Sequence, residues 1–178
     1  MRTRAGCAWI AVAVFLAGGV RAEVVDLTVT GFEVRESVTI AAPAERVWAA
    51  LGQIGAWWDK AHTFSGETAN LAITLEPGGC WCETLTGRGA GVQHMRVIYV
   101  KPPFAARLEG ALGPLQTTGA VGHMAWTIEE KASGALFTLT YDVGGYAKGG
   151  FASWAKPVDR VLGAQVQRLK RYVETAAP

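Results

Sequence analysis

The chain has 178 residues, 17 basic and 15 acidic side chains, and half of its residues are apolar. That length suits one domain with a real core, and the apolar and glycine content excludes a disordered chain. With a formal net charge of +2 there is no basic stripe for phosphate contacts, so nucleic-acid binding is excluded as the main activity.

The first residues read as a signal peptide: Arg2 and Arg4 precede an apolar run from Ala5 to Val20. The run is short of the roughly 20 residues that a membrane span requires, and Val20 and Ala22 are small residues suited to cleavage between Ala22 and Glu23. Residues 1–22 are therefore expected to be a signal peptide and 23–178 a single domain, exported to the periplasm or secreted, with no stable membrane insertion after cleavage. Removing residues 1–22 takes away three arginines and no acids, leaving 14 basic against 15 acidic residues. Cys7 lies ahead of the apolar run and is not placed as a lipid-anchored cysteine.

Seven strands are predicted, over 32–40, 71–75, 80–85, 92–100, 105–112, 121–128 and 136–143, from alternating residue types. The separators "EPGG", "TGRGAG", "KPPF", "GPLQTTG" and "KASG" supply the glycine and proline that hairpin turns need. Two segments have helical spacing instead. From Pro43, the positions Val47, Trp48, Leu51 and Ile54 predict a short helix broken at Gly52 and Gly55. From Val158, the stripe Val158, Val161, Leu162, Val166, Leu169, Tyr172 and Val173 predicts an amphipathic terminal helix of at least four turns. The order is α+β: a curved antiparallel sheet of about seven strands wrapped on one long C-terminal helix, with a short broken helix after the first strand.

"VTIAAPAERVWAAL", then "WW" and "HTFSG", the antiparallel run and the terminal "VDRVLGAQVQRLKRYV" resemble the START-like or SRPBCC superfamily with its helix-grip fold, over about residues 34–174. The likeness is to the branch of polyketide-cyclase-like proteins and homologues of an activator of a heat-shock-protein ATPase. That cytosolic ATPase would be out of reach of an exported chain. The resemblance implies a deep, mainly apolar cavity between sheet and helix, used in the superfamily for lipids, sterols, polyketides or plant hormones, and in some branches for ring closure. It also implies that Trp57, Trp58, His62 and Phe64 stand near the cavity entrance.

The sequence "PGGCWCETL" puts Cys80 and Cys82 on one face of a strand and Trp81 and Glu83 on the other. On a regular strand the two cysteine Cα atoms would be nearly 7 Å apart, at the limit for a disulfide, which favours two packed free thiols. A redox-responsive pair is the first alternative and half a zinc site the second, but no spacing supplies the other two ligands, so no metal is assigned. No cofactor motif is present; "GRGAG" lacks the strand-to-helix setting of a dinucleotide loop.

His94 lies on the strand opposite "CWCETL", and one residue of register decides whether it faces Glu83 or the cysteines. On a shared face the two would form a carboxylate–imidazole pair able to move protons or fix a polar head group. His123 alternates with Met124, Trp126 and Ile128 and is expected on the face away from them. Phe137 and Tyr141 lie on one face of the last strand and, with Met124, Trp126 and Trp81, are expected core or ligand wall. "GGYAKGG" (144–150) is expected to be a glycine-rich connection to the helix.

The expected function is binding of a small hydrophobic or amphipathic molecule, lipid-like or polyketide-like, in the cavity. The competing class is a cyclase or dehydratase using Glu83, His94 or Tyr141. A third, a protein-interaction module, requires a contiguous exposed apolar patch.

Overall fold

The structure, a computed structural model, describes residues 21–87 and 89–177. The expected signal peptide up to position 20, with Cys7, lies outside the described residues.

Eight strands form one antiparallel sheet: β1 (Arg21–Leu27), β2 (Gly31–Ile40), β3 (Leu71–Ile73), β4 (Cys80–Thr84), β5 (Gly91–Lys101), β6 (Ala105–Glu109), β7 (Gly119–Lys131) and β8 (Gly134–Tyr146). Their order is β1-β2-β8-β7-β6-β5-β4-β3. Three helices, α1 (Ala44–Leu51), α2 (Ile54–Trp57) and α3 (Ala155–Thr175), complete the α+β helix-grip architecture. The one strand beyond the seven expected is β1. Its "RAEVVDL" has no clean alternation because Val25 is an extra residue against β2, where the register shifts between Val24 and Asp26.

The other differences fall at element ends. β6 stops at Glu109 and gives way to a 3-10 turn over Gly113–Thr117, where a strand was expected to reach 112. β8 runs on through Gly144 and Gly145 to Tyr146, so three of the seven residues of the expected connection are strand. α3 begins at Ala155, taking Pro157 into its first turn, where a missing N–H breaks no helix bond.

Strand alternation sets the core. Phe32, Val34, Val38 and Ile40 of β2, Met124, Trp126 and Ile128 of β7, and Phe137, Leu139, Tyr141 and Val143 of β8 all point to the concave face. There they meet Leu162, Val166, Leu169 and Val173, the buried stripe of α3. The opposite register is polar, and His123 is exposed on that outer side, as its alternation with Met124 and Trp126 predicts.

Candidate functional site

The site grows from one irregularity in β5. Trp81 pairs with Met95 but the next residue, Cys82, pairs with Gln93, so His94 is an extra residue with no partner on β4. Regular alternation would send His94 and Met95 to opposite faces; with the bulge both are buried. His94 thereby joins Glu83 on the inner face, Nε2 lying 2.9 Å from Glu83 Oε2.

Glu83 has further partners in the loop between α2 and β3. The backbone N–H groups of Phe64 and Ser65 donate to Oε2 and Oε1 at 3.0 and 2.5 Å. Burial works to raise the Glu83 pKa, but the hydrogen bonds from Ser65, Phe64 and His94 outweigh it and hold the carboxyl below its ordinary value. Burial lowers the His94 pKa, and the opposing pull of Glu83 does not restore it. At neutral pH the pair is thus an ionised carboxylate beside a neutral imidazole. Because that carboxylate only accepts, the ring proton sits on Nε2 and Nδ1 is left as an acceptor.

Around the pair stands an aromatic wall. The Trp81 ring lies 5.5 Å from the His94 ring, 4.9 Å from Trp58 and 6.3 Å from Trp126, and Phe64 closes the other side of His94 at 5.8 Å. Phe64 is 53% exposed, so it forms the outer surface of this wall. Trp81 is 1% exposed and its Nε1–H has no acceptor. Its neighbours are satisfied: Trp57 Nε1 donates to Ala50 O, Trp58 Nε1 to His62 O, and Trp126 Nε1 to Met124 Sδ.

The terminal helix fastens the same loop from the other side. Arg168 Nε donates to Trp57 O at 2.8 Å, and Gln165 Oε1 accepts the Asp59 N–H at 2.9 Å. The Gln165 side-chain amide nitrogen is a second buried donor without an acceptor. Neither Gln165 nor Arg168 was picked out from the sequence. Gln165 could have been, since it falls three residues after Leu162 and four before Leu169, inside the buried stripe.

Not every expected residue joins the site. His62 is exposed and contributes its carbonyl rather than its ring. Phe137 sits four residues along β8 from Tyr141, on a row with Val38 and Ile128, within the far core. Tyr141 is fully buried; its hydroxyl donates to Gly110 O and accepts from Leu112 N–H, which makes it a brace for the β6–β7 connection. Burial raises its pKa, and no proton is on offer there.

Two expectations are corrected. Cys80 and Cys82 form a disulfide rather than a pair of free thiols. Their Cα atoms are 5.4 Å apart, well inside the bonding range, because β4 departs from regular extension where its register with β5 shifts. The bond lies on the outer face, away from Glu83. Second, the concave space is occupied by side chains instead of forming a deep open cavity. Each buried ring removes about 150–250 Å² from water, worth about 4–6 kcal/mol, so the filled interior is the stable form of the free protein. Two recesses lie elsewhere: one of about 360 Å³ beside α2 and Leu71, and one of about 710 Å³ between β1 and α3.

Residues 31–174 match the family model described as "Polyketide cyclase / dehydrase and lipid transport". The chain belongs to this polyketide cyclase/dehydrase and lipid transport family. Among curated proteins none matches the sequence. Solved structures share the fold at low identity. The MLL2253 protein of Mesorhizobium loti is 14% identical, with 82% of this chain and 99% of that one covered at a TM-score of 0.60. EF2215 of Enterococcus faecalis is 16% identical, with 92% and 80% covered at 0.57. DynU16, a protein of the dynemicin biosynthetic locus, is 21% identical at 0.55, with 82% of this chain and 48% of DynU16 covered.

The polyketide cyclase/dehydrase and lipid transport family sets the ligand class in general terms, small and hydrophobic. What this member adds is chemical detail at one end of the grip: an ionised acid, a neutral imidazole and an unpartnered indole N–H among aromatic rings, with a second unpartnered donor on Gln165. Among the described residues no helix is long and apolar enough to cross a membrane, and no group of three His, Cys, Asp or Glu side chains is gathered as a metal site needs.

Proposed function

We propose that the protein is an exported carrier that binds a small apolar or amphipathic molecule against Trp58, Trp81 and Trp126, with an oxygen of the ligand received by the Trp81 indole N–H. The observation that carries this reading is the unpartnered Trp81 Nε1 at 1% exposure, on a ring whose centroid lies 5.5 Å from that of a neutral His94. A buried donor without an acceptor costs about 1–3 kcal/mol, which a carbonyl or hydroxyl oxygen would recover. Gln165 supplies a second such donor beside the same loop. Entry requires the 59–67 loop to swing out, taking Phe64 off His94. Export is supported by the arginines, apolar run and small residues of positions 2–22.

Native mass spectrometry of the protein purified from the compartment it is exported to tests the binding reading. A retained hydrophobic small molecule is expected. Protein that carries none, and whose tryptophan emission is unmoved by the apolar probe 1-anilinonaphthalene-8-sulfonate, would count decisively against it.

A second reading, turnover, is favoured by one observation: His94 is neutral and its Nε2–H is held by an ionised carboxylate. Nδ1 of such a ring can take a proton from a bound ligand while Glu83 stabilises the imidazolium that forms. Turnover lost in both Glu83→Gln and His94→Ala would support this; turnover retained in both would remove the pair from the chemistry.

A further inference from the structure

One buried acid takes no part in the site. The inward series of β2 is Phe32, Val34, Glu36, Val38 and Ile40, and Glu36 alone is polar, at 0% exposure. Neither of its oxygens has a hydrogen-bond partner, nor has Asp159 Oδ1 on α3. Asp159 is near enough for its charge to act on Glu36. Room for them comes from Gly163, where a Cβ would stand 3.1 and 3.2 Å from Glu36 Oε1 and Oε2. Burial first, then the charge of Asp159, raises the Glu36 carboxyl to about 8.

Cations stand nearby without answering this charge. Lys156 and Arg160 line the β1–α3 recess together with Asp159 and Gly163, yet among the described residues neither forms an ion pair with Glu36 or Asp159. Among the described residues lining the recess, β1 contributes the charged Glu23, another acid, and on β8 the residue opposite Glu36 is the apolar Leu139.

On the β1 side, Ala22 is the strand partner of Glu36, and Glu23 pairs with Arg35. The signal peptide proposed above ends at Ala22. We propose that the α-ammonium group created at Glu23 by that cleavage is the missing cation of the Glu36–Asp159 pair, so that maturation ties β1 to α3. The position of the cut rests on the export reading; what the cut creates rests on the buried acids. Hydrolysis adds water across the Ala22–Glu23 bond, leaving a carboxylate on Ala22 and an amine on Glu23 that is protonated at neutral pH. Ala22, the strand partner of Glu36, departs. The new ammonium then stands one residue, about 3.4 Å of strand, from the place Ala22 held. It carries three N–H donors, as many as the unpartnered oxygens Glu36 Oε1, Glu36 Oε2 and Asp159 Oδ1 can take up.

The intact mass of the exported protein comes first: a chain beginning at Glu23 is expected, and any other terminus overturns the cut and this proposal with it. On a chain beginning at Glu23, the pH dependence of acetic anhydride labelling at the α-amine, read by mass spectrometry, gives its titration midpoint. The expected midpoint lies about one unit or more above the ordinary value near 8 for a free terminus. Glu36→Gln, which keeps the shape and removes the charge, should return it to the ordinary value, as should a chain that keeps Ala22. An ordinary midpoint in the Glu23 chain, or one that Glu36→Gln leaves unmoved, overturns the ammonium pair and leaves export standing. If Glu36→Gln fails to fold, Asp159→Asn gives the same reading with the same two outcomes.

Discussion

His94 meets Glu83, Nε2 to Oε2 at 2.9 Å, because β5 holds one residue more than β4 between Met95 and Gln93. The same carboxylate holds Phe64 and Ser65 by their N–H groups, so a two-residue contact in the sheet also sets the position of the loop above it.

Removing the Glu83 charge should therefore free the loop before it affects the sheet. Glu83→Ala leaves three donors without their acceptor, and the expected loss of stability is about 2–4 kcal/mol. Hydrogen exchange should show the Phe64 and Ser65 amides losing protection while the β7–β8 amides keep theirs. Equal protection in the variant would mean that Glu83 does not hold the loop.

Acid should weaken the Glu83–His94 pair in two windows. His94 is a base whose folded pKa lies below its unfolded value of 6.5, so the unfolded chain binds its proton first and stability falls as pH drops below about 6.5. Glu83 is an acid with a lowered folded pKa, so its contribution is present above about 4.5 and is lost as pH falls through the folded value. Glu36, an acid raised to about 8, works the other way and gains stability as pH falls from about 8 to 4.5, so the His94 effect is read as a difference: the urea midpoint of the protein relative to that of His94→Phe should fall as pH drops below about 6.5.

The disulfide gives a chemical count. Among Cys80 and Cys82 the oxidised protein should offer no thiol to iodoacetamide, and two after reduction. Cutting so short a loop is expected to lower stability by about 1–2 kcal/mol. Trp81 sits between the two cysteines, so its emission should shift on reduction. Two labelled thiols in the untreated protein would contradict the bridge.

The sheet, the broken helix and α3 were legible in the sequence because period-two and period-3.6 patterns survive wherever one face is buried. The Glu83–His94 contact was legible only as one of two registers, and not the favoured one, since nothing in "GVQHMRV" marks His94 as an extra residue. The disulfide was hidden for the same reason: a regular strand keeps Cys80 and Cys82 too far apart, and only the irregular one brings them to 5.4 Å. Glu36 and Gln165 could have been found, each being the polar member of an otherwise apolar inward series. The filled interior could not, because periodicity tells which way Trp81, Trp126 and Tyr141 point and not how far their rings reach.

That reach gives the last prediction, at Gly122. On β7 this residue points inward, one step before Met124 in the buried register, and a Cβ there would lie 2.3–2.5 Å from the Tyr141 ring and hydroxyl. The ring cannot yield easily. Its hydroxyl is held from both sides by Gly110 O and Leu112 N–H, at 2.9 and 3.0 Å. Gly122→Ala must therefore push Tyr141 off both partners or bend β7, and a loss of about 2–4 kcal/mol is expected, beyond the usual 1–3 for overpacking because buried hydrogen bonds go with it. Adding Tyr141→Phe removes the hydroxyl but not the ring. The double variant should recover part of the loss if the hydroxyl is the main clash and almost none if the ring is. Gly122→Ala with an unchanged urea midpoint would show that the ring has room to move, and the brace on the β6–β7 connection would have to be given up.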